Sequence, residues 1–199
     1  MIVNEGFFPK REKNDRLPPG QYETKDFPVL SLGPTPLVDE KDWSLKISGL
    51  VERPVRWNWE EFSKLPHHDI VRDIHCVTKW SKFDTDWSGV YLKDIFDLVG
   101  LKPEGNHIIA FSSDSYSTNV PLEDVLGEKA MVATRYRGEA IPAEHGGPAR
   151  LLVPHLYFWK SAKWLDEIKV IDHDEPGFWE VRGYHNYGDP WLEQRYTND

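Results

Sequence analysis

Residues His145–Pro154 read HGGPARLLVP and residues Tyr157–Ile168 read YFWKSAKWLDEI, and together they decide what this chain is built around. The Gly146–Gly147–Pro148 triplet sets a turn whose bare backbone lets amides approach a bound group closely. Arg150 opens a predicted strand, and Lys160, Ser161 and Lys163 gather at the turn that follows. A buried core has no use for polar side chains at that density, whereas a phosphate-bearing ligand calls for charge-assisted donors.

Outward from this stretch the charge is uneven. From Lys129 to Lys169 there are seven basic residues against four acidic ones, whereas from Asp172 to Asp199 seven acids face only Arg182 and Arg195. The chain of 199 residues carries a formal net charge of −9, which argues against nucleic acid or an anionic membrane as its main partner. A locally basic segment in an acidic chain points to an anion pocket built from Arg150, Lys160 and Lys163; a solvated charged face is the alternative that the pattern leaves open.

The length is that of one domain, residues 1–199, with an extended arm over 1–40 and a tail over 172–199. The arm is predicted from its prolines and glycines and its lack of any helical or strand period. Its opening MIVNEGFFPKREKN has no apolar run of signal-peptide length, and no stretch approaches the ~20 apolar residues of a membrane helix. With a single cysteine, and so no internal disulfide, the expected location is cytoplasmic. That single cysteine also excludes zinc sites or iron–sulfur clusters built from several cysteines of this chain.

Strands are read over WSLKISG (Trp43–Gly49), HDIVRDIHCV (His68–Val77), HIIAFSS, AMVATRY, ARLLVP and EIKVI, from alternation or short apolar runs. NWEEFSKLP reads as a short helix with Asn58 as N-cap and Glu61 three residues later, VYLKDIFDLVG as a helix closed by Gly100, and PLEDVLG as a third short one. The class is α+β.

Cys76 ends the predicted strand that holds Ile70 and Ile74 on its face, with His75 on the opposite face. A lone cysteine is most often a small buried hydrophobe; its functional alternatives are a nucleophile or a soft metal ligand. The eight histidines form no H-E-x-x-H pair, and the chain has no G-x-G-x-x-G after a strand, Walker A or G-x-S-x-G motif. The Glu60/Glu61 and Asp166/Glu167 pairs read as solvated faces.

Three blocks, IHCVTKWSKFDTDWSGVYLKDIF around Cys76, HGGPARLLVP and KSAKWLDEI, match in order and spacing a known family. From about Trp43 to Ile171 the chain resembles the molybdopterin-binding oxidoreductase domain shared by sulfite oxidases, plant-type nitrate reductases and the bacterial methionine sulfoxide reductase catalytic subunit. The resemblance implies the mixed-sheet sulfite-oxidase-type fold and molybdenum bound through molybdopterin, with Cys76 as the thiolate ligand. It further implies that His145 and Arg150 hold the pterin, that the Ser161–Ala162–Lys163 turn binds its phosphate, and that Ser113, or Ser112 one position away, contacts the cofactor. Contacts from the family's first strand region map onto Phe27–Leu32. On physical grounds, Trp80, Trp87, Tyr157 and Trp159 are candidate walls for the flat pterin.

Where sulfite oxidases carry an Arg-Asn-His-type segment, this chain reads FPVLSLGPTP with no basic residue, which turns the expectation from sulfite toward a neutral S-oxide or N-oxide. The expected activity is oxygen-atom transfer on a small substrate, with a separate electron-transfer partner and Cys76, Tyr184 and Arg135 as catalytic residues. Arg137, His185 and Tyr187 join Arg135 and Tyr184 as candidates for a substrate funnel, the alternative for the GYHNYGDPW loop being a structurally packed tail. Two other readings stand beside this one: a non-catalytic molybdopterin-binding or cofactor-handling protein, and a cysteine hydrolase with a base from the loops.

Overall fold

The computed structural model describes residues 15–199; the first fourteen residues of the arm, and the reading of their sequence as carrying no leader, lie outside the described residues. In chain order the elements are β1 (Tyr22–Glu23), β2 (Ser44–Gly49), β3 (Val55–Asn58), α1 (Trp59–Phe62), β4 (His68–His75), β5 (Trp80–Tyr91), α2 (Leu92–Val99), β6 (His107–Ser112), β7 (Ser117–Pro121), β8 (Met131–Tyr136), β9 (Glu139–Ala140), β10 (Arg150–Leu152) and β11 (Leu165–Ile171). They form two sheets. One runs β3-β2-β11-β6-β7, with β11 parallel to β2 and antiparallel to β6. The other runs β1-β5-β8-β10, with β4 also paired to β5 and β9 to β8. Among the described residues no helix is long and apolar enough to cross a membrane.

The two-residue period of strands explains how the second sheet serves two cores. Val90, Val132 and Leu151 face the first sheet and pack with Leu45, Ile47, Ile108, Ile168 and the apolar side of α2. Their neighbours Met131, Ala133 and Leu152 turn the other way, onto Ile70, Ile74, Trp87 and Cys76. Arg150 pairs with Ala133 across β10 and β8 and so shares this second face. The α+β expectation holds, with mixed sheets and few helices.

Local sequence explains the helix boundaries. Asn58 caps α1 through Glu61, whose carboxylate returns to the Asn58 amide at 3.0 Å, and the helix lasts one turn. In α2 the apolar residues Leu92, Ile95, Phe96 and Val99 fall at helical spacing and are all buried, and Gly100, at φ +71°, ends it. PLEDVLG makes only a 3-10 turn, Leu122–Asp124, because Pro121 belongs to the end of β7.

Candidate active site

Cys76 sits in a hairpin turn between β4 and β5. Its amide donates to the Trp80 carbonyl at 2.8 Å and its carbonyl accepts from the Lys79 amide at 3.0 Å, with Lys79 in the left-handed region at φ +73°. Three residues thus reverse the chain, a hairpin geometry that favours glycine at the last loop position. Gln21 of the arm donates to the Cys76 carbonyl at 3.1 Å and pins the turn from outside. The thiol is buried and raised above its ordinary pKa by desolvation, while the Thr78 hydroxyl, donating to Sγ at 3.2 Å, and the charge of Lys163 act in the opposite sense. Among the described residues no histidine hydrogen-bonds to Sγ. His75, on the other side of the strand, hydrogen-bonds Ser81 Oγ at 2.8 Å. The nucleophile–base pair that a cysteine hydrolase requires is therefore not formed.

Cys76 opens onto a cavity of about 470 Å³, within the ~300–1,000 Å³ range of small-ligand sites. On its floor lies Arg150, 1% exposed. The guanidinium donates to the His145 and Ser161 carbonyls, each at 2.7 Å, and lies over the Phe158 ring at 4.2 Å. Among the described residues no carboxylate pairs with it, and burial pulls its pKa down to about 9, still protonated at neutral pH. A buried cation without a counter-ion is costly, and a bound anion relieves that cost. His145 lines the same cavity, stacked on Phe27 of the arm at 3.8 Å and 9°. Burial, with Arg150 and Lys163 nearby, holds its pKa near 4, so the imidazole is neutral at pH 7.

Lys163 reaches the cavity from the turn after Ser161, donating to the Leu30 and Glu144 carbonyls, each at 2.7 Å. Burial lowers its pKa to about 8. A Cβ on Gly146 would lie 2.8 Å from that of Lys163, and one on Gly147 would meet the Ile141 carbonyl at 2.0 Å. Both glycines therefore permit protein–protein approach, and Gly146 seats Lys163, rather than clearing space for a ligand's contact with the backbone. Ser161 lines the cavity, its hydroxyl accepting from the Val153 amide at 2.9 Å, whereas Ala162 packs into the core between the sheets.

The other sequence candidates separate. Tyr184, Trp80 and Trp159 line the cavity; Trp87 and Tyr157 stand behind it. Ser112 lines it where Ser113 does not, and the Ser112 hydroxyl is buried without a hydrogen-bond partner among the described residues. Lys160 is turned away from the cavity into a buried ion pair with Glu180, so the anion pocket keeps only two of its three expected cations. Arg135 lines a different cleft with His67 and Asp69, and Arg137 lies exposed against the Tyr136 ring. His185 accepts from the Tyr187 and Gly188 amides, closing its own loop, and Tyr187 packs on the main core. Thr78, Trp164, Leu30 and Ser31 also line the cavity without having been read from the sequence as site residues, although Leu30 and Ser31 fall within the Phe27–Leu32 segment.

The thiol, the uncompensated guanidinium and the second cation suit a sulfur-bound metal carried by a phosphate-bearing group: a thiolate is a soft ligand, and the cations match an anion. Known proteins agree. The chain is 43% identical over 97% of its length to an uncharacterized oxidoreductase, YuiH, of Bacillus subtilis, and covers 100% of that protein. It is 30% identical to the putative protein-methionine-sulfoxide reductase subunit YedZ1 of Azospira oryzae over 76% of this chain, and spans only 57% of that relative. The sulfane dehydrogenase SoxCD from Paracoccus pantotrophus superposes with a TM-score of 0.64 at 26% identity, over 70% of this chain and 40% of the other. A single span, residues 32–179, takes in Cys76, His145, Arg150 and Lys163 and matches the model of the oxidoreductase molybdopterin-binding domain, and this chain belongs to that family.

Proposed function

We propose that this molybdenum–molybdopterin oxidoreductase acts as a single domain and transfers an oxygen atom to or from a small neutral S-oxide or N-oxide, with a separate protein as its electron partner. The observation that carries the reading is the convergence of the Cys76 thiol and the uncompensated Arg150 guanidinium on one cavity. When bound through Cys76, the metal would supply the two-electron redox chemistry of the reaction.

The chain's own residues do the rest. Cys76 ligates through its deprotonated sulfur, and the Thr78 hydroxyl and the Lys163 charge favour loss of that proton. Arg150 and Lys163 hold the pterin's phosphate end beside Ser161, with Ala162 setting the turn from the core. Ser112, with its hydroxyl unpartnered, takes the contact expected of Ser113. His145, neutral and stacked on Phe27, offers a ring nitrogen without adding charge. Tyr184, whose pKa burial raises, keeps its hydroxyl proton and presents it to a substrate oxygen. Arg135 takes no part, because its cleft is separate.

Neutral substrates follow from the arm, whose cavity-lining residues Phe27, Pro28, Leu30, Ser31 and Leu32 carry no charge. The methionine-sulfoxide reductase name of one relative points the same way. The lone unpaired Cys76 suits a cytoplasmic site of action.

The test is metal analysis and dye-driven sulfoxide reduction on protein made in a host that synthesises molybdopterin, beside Cys76→Ser. About one molybdenum per chain is expected in the parent, and loss of turnover with an intact fold in the variant. Full activity in a molybdenum-loaded Cys76→Ser protein overturns the reading.

A further inference from the structure

Lys160 and Glu180 form an ion pair at 2.6 Å with side chains 0% and 1% exposed. The Lys160 ammonium also donates to Asn119 Oδ1 at 2.8 Å and to the Asn186 carbonyl at 2.6 Å. A buried pair of this kind adds little stability over well-packed apolar residues of the same volume. What it does here is geometric. Glu180 Oε1 accepts from the Trp159 indole at 2.9 Å, and Trp159 is a cavity wall. Trp179, next to Glu180 in the chain, stacks on Tyr184 at 4.8 Å and accepts the Tyr184 amide at 3.2 Å; the Tyr184 ring meets Trp159 edge-on at 5.2 Å. The carboxylate, which also accepts from the Thr118 hydroxyl at 3.2 Å, thus fixes Trp159 directly and Tyr184 through Trp159 and the neighbouring Trp179, while Cys76, Arg150 and Lys163 make no hydrogen bond to it.

We propose that Glu180, held by Lys160, is a positioning residue that sets Trp159 and Tyr184 as the substrate-side wall of the cavity, and that it governs substrate affinity without helping to retain the cofactor. The word substrate rests on the function proposed above; the tether to Trp159 does not.

The experiment compares two double variants of the molybdenum-loaded full chain. Lys160→Met/Glu180→Leu replaces the pair by apolar residues and leaves the Trp159 N–H without its acceptor. Lys160→Met/Glu180→Gln removes both charges but keeps an oxygen for that N–H. The readouts are the fluorine resonance of 5-fluorotryptophan at position 159, assigned by its disappearance in Trp159→Phe, and KM and kcat for dimethyl sulfoxide reduced by benzyl viologen. The Leu variant is expected to displace the resonance and raise KM about tenfold with kcat within about twofold, as loss of one hydrogen bond to a charged group implies. The Gln variant should restore both, and molybdenum content should be unchanged in each. Equal behaviour of the two variants, or loss of molybdenum in either, overturns the proposal. Should the Leu variant not fold, Trp159→Phe, which removes the donor and leaves the pair, must raise KM while the Gln variant does not; the reverse overturns it. Absence of any S-oxide or N-oxide turnover in the parent sinks the proposed function instead, and the resonance still decides the tether.

Discussion

His145 shows at the residue scale how burial sets the charge of the cavity. Its folded pKa lies near 4 against an ordinary 6.5, so the folded protein binds this proton more weakly than the unfolded chain does. The resulting stability is complete above about pH 6.5 and is lost as the pH falls through about 4. Urea unfolding midpoints of the metal-free protein should therefore fall between pH 7 and pH 4.5, and fall less in His145→Gln. Equal slopes for parent and variant would show that the imidazole is not desolvated as its surroundings require. The residues most legible from sequence are those in short motif strings, Cys76, His145, Arg150, Ser161 and Lys163, all of which line the cavity. Lys160 was misread because nothing in KSAK says which of two lysines three apart turns inward; only Glu180, distant in sequence, settles it. Thr78 carries no signal, and the resemblance leaves Ser113 and Ser112 one position apart, since a hydroxyl's role depends on which atom the fold brings to it.

At the scale of elements, strands and helices with a clear period were readable and the longest strand was not. β5, Trp80–Tyr91, reads WSKFDTDWSGVY, and its polar residues obscure the alternation of a strand paired on both sides. The turn that launches it lacks the expected marker, because Lys79 stands at φ +73° where glycine is the usual occupant. Lys79→Gly should stabilise the protein by about 1 kcal/mol by removing that conformational cost, raising the Tm while leaving molybdenum content unchanged. A lower Tm would show that the lysine side chain contributes more than its backbone costs. Gly89 illustrates the converse at the other end of β5, beside an irregularity in its pairing: a Cβ there would lie 2.1 Å from the Val132 carbonyl. Close sheet packing of this kind leaves no mark in a sequence beyond the glycine itself.

For the whole molecule, composition told the sign of the surface and the motifs told the sign of the site, and the two are opposite. A net charge of −9 surrounds a cavity whose lining, among the described residues, holds Arg150 and Lys163 against Asp114 alone. Long-range steering acts through the outer field. The rate with cationic benzyl viologen radical as donor should fall as ionic strength rises from about 0.01 to 0.15 M, where the screening length shrinks from ~30 to ~8 Å. With dithionite as direct reductant the trend should reverse, and an unchanged rate for both would place electron entry at a neutral patch. The described part of the arm, readable only as extended and irregular, is held at two points, by Arg16 on Asp73 at 2.6 Å and by Lys163 on the Leu30 carbonyl. That last contact joins positions 133 residues apart. A ribosome delivers the two halves of this wall at different times: Leu30 is made 133 residues before Lys163, and Tyr184 follows later still. The cavity wall is complete only when both stretches have been made, so a group that needs Leu30, Lys163 and Tyr184 together binds after this region has been translated.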